Sequence, residues 1–411
     1  MEVVNCCKAS RVSTEVGEDF ISRMPEDVIA NIMNCLPLRD AVGTSILSTS
    51  WRSKWTLLTQ LIFDLEFFIA KRKSHFDKTN ISRLLHQLKG AITKFVLHIT
   101  DYMELDTEDI HHLVMVLSRI RGFKELTLIN WRQTSIMLPT HLFSYLELKH
   151  LHLNSCDLSP SPYFRGFPKL LSLTLQNVRF QDHRCGEFIP QSPMLETLIL
   201  DIVNRELRGE VKLVEIAKLE NLNKLGLSLC LLDNMTMVRL STALQHLSLL
   251  PKLQELYLNF GKFEFLAEDV AQNPVSTTFP FLKTLELLTM DFSSVSMLAC
   301  VFGMLFGCTN LQTLHINARY KNDVSPPAIF SPEVDCSTMG QLQLRNVYLS
   351  NIKGLENEVC LMKCMLACSP MLKTIVIKSS IMSKDGNEKY KLASKLLKLH
   401  RASPMAEIIF S

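Results

Sequence analysis

None of the twelve cysteines forms a C-x-x-C pair, and only Cys6 and Cys7 adjoin. That scatter lacks the ligand spacing of a structural zinc site and of a RING domain. It suits reduced thiols in the cytoplasm and/or nucleus better than a disulfide framework. There is no Walker loop, no G-x-G-x-x-G, no G-x-S-x-G and no H-E-x-x-H, so the spacings that serve phosphate binding, acyl transfer and metal hydrolysis are missing. An excess of charge is missing too: 44 basic residues stand against 41 acidic ones, a net +3, which points to neither nucleic acid nor an anionic membrane as partner. The longest uncharged apolar run, Val295 to Cys308, falls short of the ~20 residues a membrane span requires and reads as a buried helix. Residues 1–20 hold no apolar run suited to a signal peptide and read as a disordered tail. Wholesale disorder is excluded by a composition that is 47% hydrophobic and 21% charged.

What the chain does have is a repeat. An L-x-x-L-x-L frame recurs as LKHLHLNSC at 148, PKLLSLTLQN at 168, PMLETLILD at 193, LNKLGLSLC at 222, PKLQELYLN at 251, FLKTLELLTM at 281 and TNLQTLHIN at 309, with PMLKTIVIK at 370 continuing it. Such self-similarity is the signature of stacked leucine-rich repeats. Its leucines point inward from a short strand while the residues between them face out on the concave side. Leu126, Leu151, Leu173, Leu198, Leu225, Leu256, Leu285 and Leu314 are equivalent in this frame, at steps of 25, 22, 25, 27, 31, 29 and 29 residues. The short steps leave room for a turn or 3₁₀ piece between strands, and the long ones for a helix. The outward set makes a candidate binding strip that includes Glu125, His150, His152, Asp201, Glu255, Tyr257, Glu286 and His315. Its charged members are mostly acidic, so a target with basic character is expected.

A second pattern precedes the repeat. In Ile21 to Trp55, Met24, Val28, Ile32 and Leu36 recur every four residues, and Ile21, Ile29 and Met33 widen the stripe. Pro25 opens a helix and Pro37 closes it. Asp40 is expected to cap a short second helix, and Ser48 a third carrying Trp51 and Trp55. So small a unit has more apolar side chains than it can hide. The run M-P-x-D-V-I-x-x-I-x-x-x-L-P-L-R-D-A-V-x-T-S-x-L-S-x-x-W-R resembles the F-box of plant F-box proteins with leucine-rich repeats and a C-terminal FBD domain, Met24 standing where leucine is usual.

That resemblance implies docking to a Skp-class adaptor and, through it, to cullin and RING subunits. Matching positions assign the adaptor contact to Met24, Pro25, Ile29, Ile32, Leu36, Pro37 and Trp51. Plant hormone receptors of similar plan hold an inositol phosphate with clustered basic residues. The strip here has no such cluster, so no cofactor is expected.

After a Pro-rich break at Ser325, residues 341–411 read strand, helix, strand, helix, strand and close on RASPMAEIIF, an order that resembles the FBD domain. A terminal unit of this kind would cap the solenoid's last apolar face. His111-His112 and the Cys360, Cys364, Cys368 series read as helix-packing residues rather than metal ligands. The expected fold is α/β: a tail at 1–20, a three-helix F-box at 21–60, an irregular repeat solenoid with a curved parallel sheet at 61–340, and an α/β FBD unit at 341–411. The expected function is non-catalytic, the recognition of a target protein for ubiquitination. A scaffold outside any ligase, or a small-molecule co-receptor using the concave face, is the alternative.

Overall fold

The structure, a computed structural model, describes residues 21, 23–69, 76–101, 103–180, 189–201, 212–231, 240–261, 278–320, 341–379 and 386–411. The tail at 1–20, the Pro-rich break at Ser325 and residues 71–75 lie outside them.

Thirteen strands, every one parallel to its neighbours, form one sheet in strict chain order from Gln60–Phe63 to Glu407–Phe410. A side-chain column runs straight across it. Leu61 pairs in register with Phe95, and Phe95 with Leu126. The column then passes through Leu151, Leu173, Leu198, Leu225, Leu256, Leu285 and Leu314, and on through Val347, Ile375 and Ile408. All eight leucines equated in the sequence therefore share one ladder. From Leu61 to Ile375 every column residue is buried. Alternation at period two explains the buried column and the half-buried or exposed neighbours of most of its members, Gly226 being a buried exception.

The length of each step sets what returns the chain. Between Leu151 and Leu173 there is no helix; the steps on either side hold the 3₁₀ turns Thr140–Ser144 and Ile189–Gln191. The longer steps hold Thr107–Ser118, Leu240–Ser248 and Val295–Gly307. The last of these is the uncharged apolar run. Ser294 caps it (Met297 N–H to Oγ, 3.4 Å), and Leu298, Cys300, Val301, Met304 and Leu305 are buried. Among the described residues no helix is long and apolar enough to cross a membrane. Ser155, Asn177, Thr289 and Asn351 have positive φ (53°, 50°, 56° and 61°), and each stands four places after its column residue (151, 173, 285, 347). At Ser155 and Asn177 this left-handed step follows the strand, and at Thr289 and Asn351 it falls inside one, where the register shifts; Asn tolerates it at low cost.

The C-terminal unit extends the sheet. Asn346–Ile352, Thr374–Ser379 and Glu407–Phe410 are its last three strands, with Glu356–Cys368 and Gly386–Leu397 between them. The first strand, Gln60–Phe63, ends sooner than the alternation of Leu61, Phe63 and Leu65 suggests, because Asp64 Oδ1 accepts the Phe67 N–H (2.9 Å) and starts a short helix.

Two candidate surfaces on one scaffold

The N-terminal unit differs in detail from its sequence reading. Glu26–Asn34 is helical, with Glu26 and Asp27 in the first turn, where the helix dipole favours acids. Pro37, not Asp40, begins the second helix, Leu38–Gly43: its carbonyl accepts the N–H groups of Asp40 and Ala41, both at 2.9 Å. The expected third α-helix is absent. Ser48 takes the Trp51 N–H on both its carbonyl (3.2 Å) and its Oγ (3.3 Å), which closes a turn. Winding resumes only as the 3₁₀ segment Lys54–Leu57.

Ile29, Met33, Leu38 and Ala41 are buried in the same core as Leu58, Leu61 and Phe63. Asn34 ties the two parts: its Nδ2 donates to Thr59 Oγ1 (2.9 Å), and its Oδ1 accepts the Thr59 N–H (3.1 Å). The first helix is thus apolar on two faces. Ile29 and Met33 point inward, while Met24, Val28 and Ile32 stay exposed. Ile29, expected at the adaptor contact, is 0% exposed and presents nothing to a partner. Of the other expected contacts, Pro25 and Pro37 are exposed, and Leu36 and Trp51 are half-buried against the core. The most open apolar side chains of the unit are two that the helical stripe did not single out, Ile46 (86% exposed) and Leu47 (70%). They follow the 3₁₀ break at Thr44, where α-helical periodicity no longer predicts facing.

The second surface is the sheet face opposite the buried column. The register sorts its side chains into rows. One begins Lys94, Glu125, His150, Ser172 and continues through Lys224 and Glu255. Two of the four acids counted on the strip are neutralised there: Glu125 pairs with Lys94 at 3.2 Å and Glu255 with Lys224 at 2.7 Å. Equating the residue before each column leucine would have exposed the second pair, because Lys224 and Glu255 hold that place before Leu225 and Leu256. His152 Nε2 lies 3.3 Å from Gln176 Oε1, and Asp201 Oδ1 accepts from Ser228 Oγ (2.7 Å) and Asn259 Nδ2 (3.1 Å).

The row through the middle of the face reads Ile199, Gly226, Tyr257, Glu286, His315, Tyr348. Burial, then the carboxylates of Asp201 and Glu286, hold the Tyr257 phenol protonated. His315 and Tyr348 stack with centroids 4.4 Å apart and planes 14° from parallel. Tyr348 was not among the expected site residues. Among the described residues no group of three or more His, Cys, Asp and Glu could hold a metal ion. His111 instead pairs with the Met137 carbonyl (2.8 Å), and Cys364 and Cys368 are buried.

Residues 21–61 match the F-box domain family, and residues 115–249 match a family described as FBD-associated F-box protein At5g56370, LRR repeats. Across its length the chain is similar to the F-box/FBD/leucine-rich-repeat proteins. It is 29% identical over 421 residues to the F-box/FBD/LRR-repeat protein At1g13570 of Arabidopsis thaliana, across 95% of this chain and 98% of that one. The F-box/LRR-repeat protein At5g02910 of the same plant is 23% identical, over 81% and 76%. F-box proteins with such repeats are generally non-catalytic substrate adaptors, and the F-box in general binds a Skp-type adaptor. In this chain the unit that matches the F-box shares its core with the first strand of the repeat sheet.

Proposed function

We propose that this chain is the substrate-recognition subunit of a Skp–cullin–F-box ubiquitin ligase, working in the cytoplasm and/or nucleus. Its F-box docks a Skp-class adaptor, which brings cullin and RING subunits, and its open sheet face holds the target protein. The observation that carries the reading is the apolar surface around Ile46 and Leu47, left uncovered on a domain whose own core is already filled by Ile29, Met33, Leu38 and Ala41. Contiguous exposed apolar surface marks a partner site. The rest of the chain is a recognition scaffold whose contribution to ubiquitin transfer is proximity. Holding a target lysine near a charged ubiquitin carrier makes the transfer effectively unimolecular.

A purified Skp-class adaptor should be retained by the full chain and lost on Ile46→Asp plus Leu47→Asp. Targets should accumulate on that double variant in cells, because they are bound but not handed on. Point changes serve better than removal of the F-box, which would strip Ile29 and Met33 from the core beside Leu61 and Phe63. Failure of the unmodified chain to retain the adaptor, or equal retention by the variant, overturns the reading.

A further inference from the structure

The central row of the sheet face holds one acid with no partner. Glu125 and Glu255 are ion-paired, and Asp201 is held by Ser228 and Asn259. Glu286 is half-buried, and among the described residues it has no ion pair or hydrogen bond. Its neighbours in register are Tyr257 on one side and His315 on the other, and His315 in turn stacks on Tyr348. A carboxylate is thus set in a row of rings. Strands lie ~4.8 Å apart, so Gly226 to Tyr348 spans roughly 19 Å across five strands.

Gly226 shapes the row's near end. A Cβ there would meet Ile199 Cγ2 at 3.1 Å, so the missing side chain lets Ile199 lean in beside the strand that carries Tyr257. Tyr348, at the far end, keeps 37% of its surface exposed. The row contains no lysine or arginine, and the nearest outward cation of the preceding row, Lys224, is already taken by Glu255. A guanidinium is the complement to this arrangement. Its plane stacks on aromatic faces, its N–H fork bonds a carboxylate in bidentate fashion, and its weak hydration makes it cheap to desolvate.

We propose that the row Tyr257–Glu286–His315–Tyr348 receives an arginine-bearing segment of a basic protein partner. The proposal rests on the reading of the sheet face as the target-binding surface and names the chemistry of the target. Arginine stacks on Tyr257 while Glu286, the next residue in register, takes its charge, and Asp201 adds a longer-range attraction. Selection is against acidic segments as well as for basic ones, since a carboxylate placed beside Glu286 meets a like charge with no lysine or arginine in the row to relieve it.

The test uses the full chain and acetylated nonapeptide pools whose centre residue is fixed as arginine, lysine, citrulline or glutamate and whose other positions are mixed. Citrulline keeps the shape of arginine and removes the charge. Arginine pools should bind about tenfold more tightly than citrulline pools, with glutamate pools weakest. Glu286→Gln should abolish that preference without moving the melting temperature, and Tyr257→Leu should reduce the arginine-over-lysine preference, since stacking is what separates the two cations. Glu147→Gln, which removes a carboxylate paired with Lys169 away from this row, should leave the preference intact. Equal binding of arginine and citrulline pools overturns the proposal, and so does a preference that survives in Glu286→Gln. Adaptor capture measured on the same preparations separates the two readings. Capture without charge preference refutes only the arginine site. Charge preference without capture refutes only the ligase assignment.

Discussion

Ile29 and Ile46 make a matched pair for deciding which F-box residues fold the domain and which dock it. They are the same residue type in the same small unit, one 0% and the other 86% exposed. Fully burying an isoleucine side chain is worth roughly 1.5–3 kcal/mol. For Ile46 nearly all of that remains uncollected in the isolated chain and becomes available only when a partner covers it. Ile46→Ala should therefore leave stability within about 0.5 kcal/mol and cost about 2 kcal/mol of adaptor binding, close to a thirtyfold rise in Kd. Ile29→Ala should do the opposite: about 2–5 kcal/mol of stability lost to the cavity and the missing contacts, with the affinity of the fraction still folded little changed. Thermal or urea unfolding reads the first quantity, and titration calorimetry with a purified Skp-class adaptor reads the second. The reasoning fails if Ile46→Ala binds as tightly as the unmodified chain. It also fails if Ile29→Ala weakens binding at temperatures where the protein is wholly folded.

Two further outcomes follow from particular groups. Arg132 donates to three carbonyls that precede it in the chain, Thr100 (3.3 Å), Met103 (2.7 Å) and Leu105 (2.8 Å). Arg132→Met leaves all three without that donor and should cost about 3 kcal/mol, with amide exchange quickening at Met103 and Leu105; a urea midpoint that does not move would refute this. Glu358 is buried and accepts the N–H groups of Lys353, Gly354 and Leu355, yet burial outweighs these bonds and pushes its carboxyl up from 4.5 to about 7. A raised folded pKa contributes stability that is fully present below about 4.5 and lost as pH rises through about 7, on the order of 3 kcal/mol. The stability of the native chain relative to Glu358→Gln should fall by that amount between pH 4.5 and 7.5, and a flat difference would refute the assignment.

The repeat sheet was readable in advance because its signal is local and redundant. L-x-x-L-x-L places two inward leucines two residues apart, and recurrence fixes the register across strands, as the unbroken ladder from Leu126 to Leu314 shows. The F-box was harder. A four-residue stripe tells which side chains share a face but not which of two apolar faces finds the core, so Ile29 and Ile32 looked alike. Ile46 and Leu47 escaped because the helix tightens to 3₁₀ at Thr44 and the period changes. The acidity of the strip was overstated for another reason. A count of charge along the chain misses that Lys94 and Glu125, 31 residues apart, meet across adjacent strands. Capping by Pro37 instead of Asp40 shows a residue near a helix start drawn into the first turn, where its charge still suits the dipole.

The alternation along each strand also bears on how such a chain changes over generations. Inward residues from Leu61 to Ile375 carry the folding energy, and the outward ones between them touch mainly one another and solvent. Replacing Tyr257, Glu286 or Tyr348 changes the chemistry of the face while leaving the leucine column as it was. Divergence can then run freely along one side of the sheet while purifying selection acts on the other. A duplicated copy can acquire a different client by a handful of outward substitutions, keeping its docking domain and its core throughout.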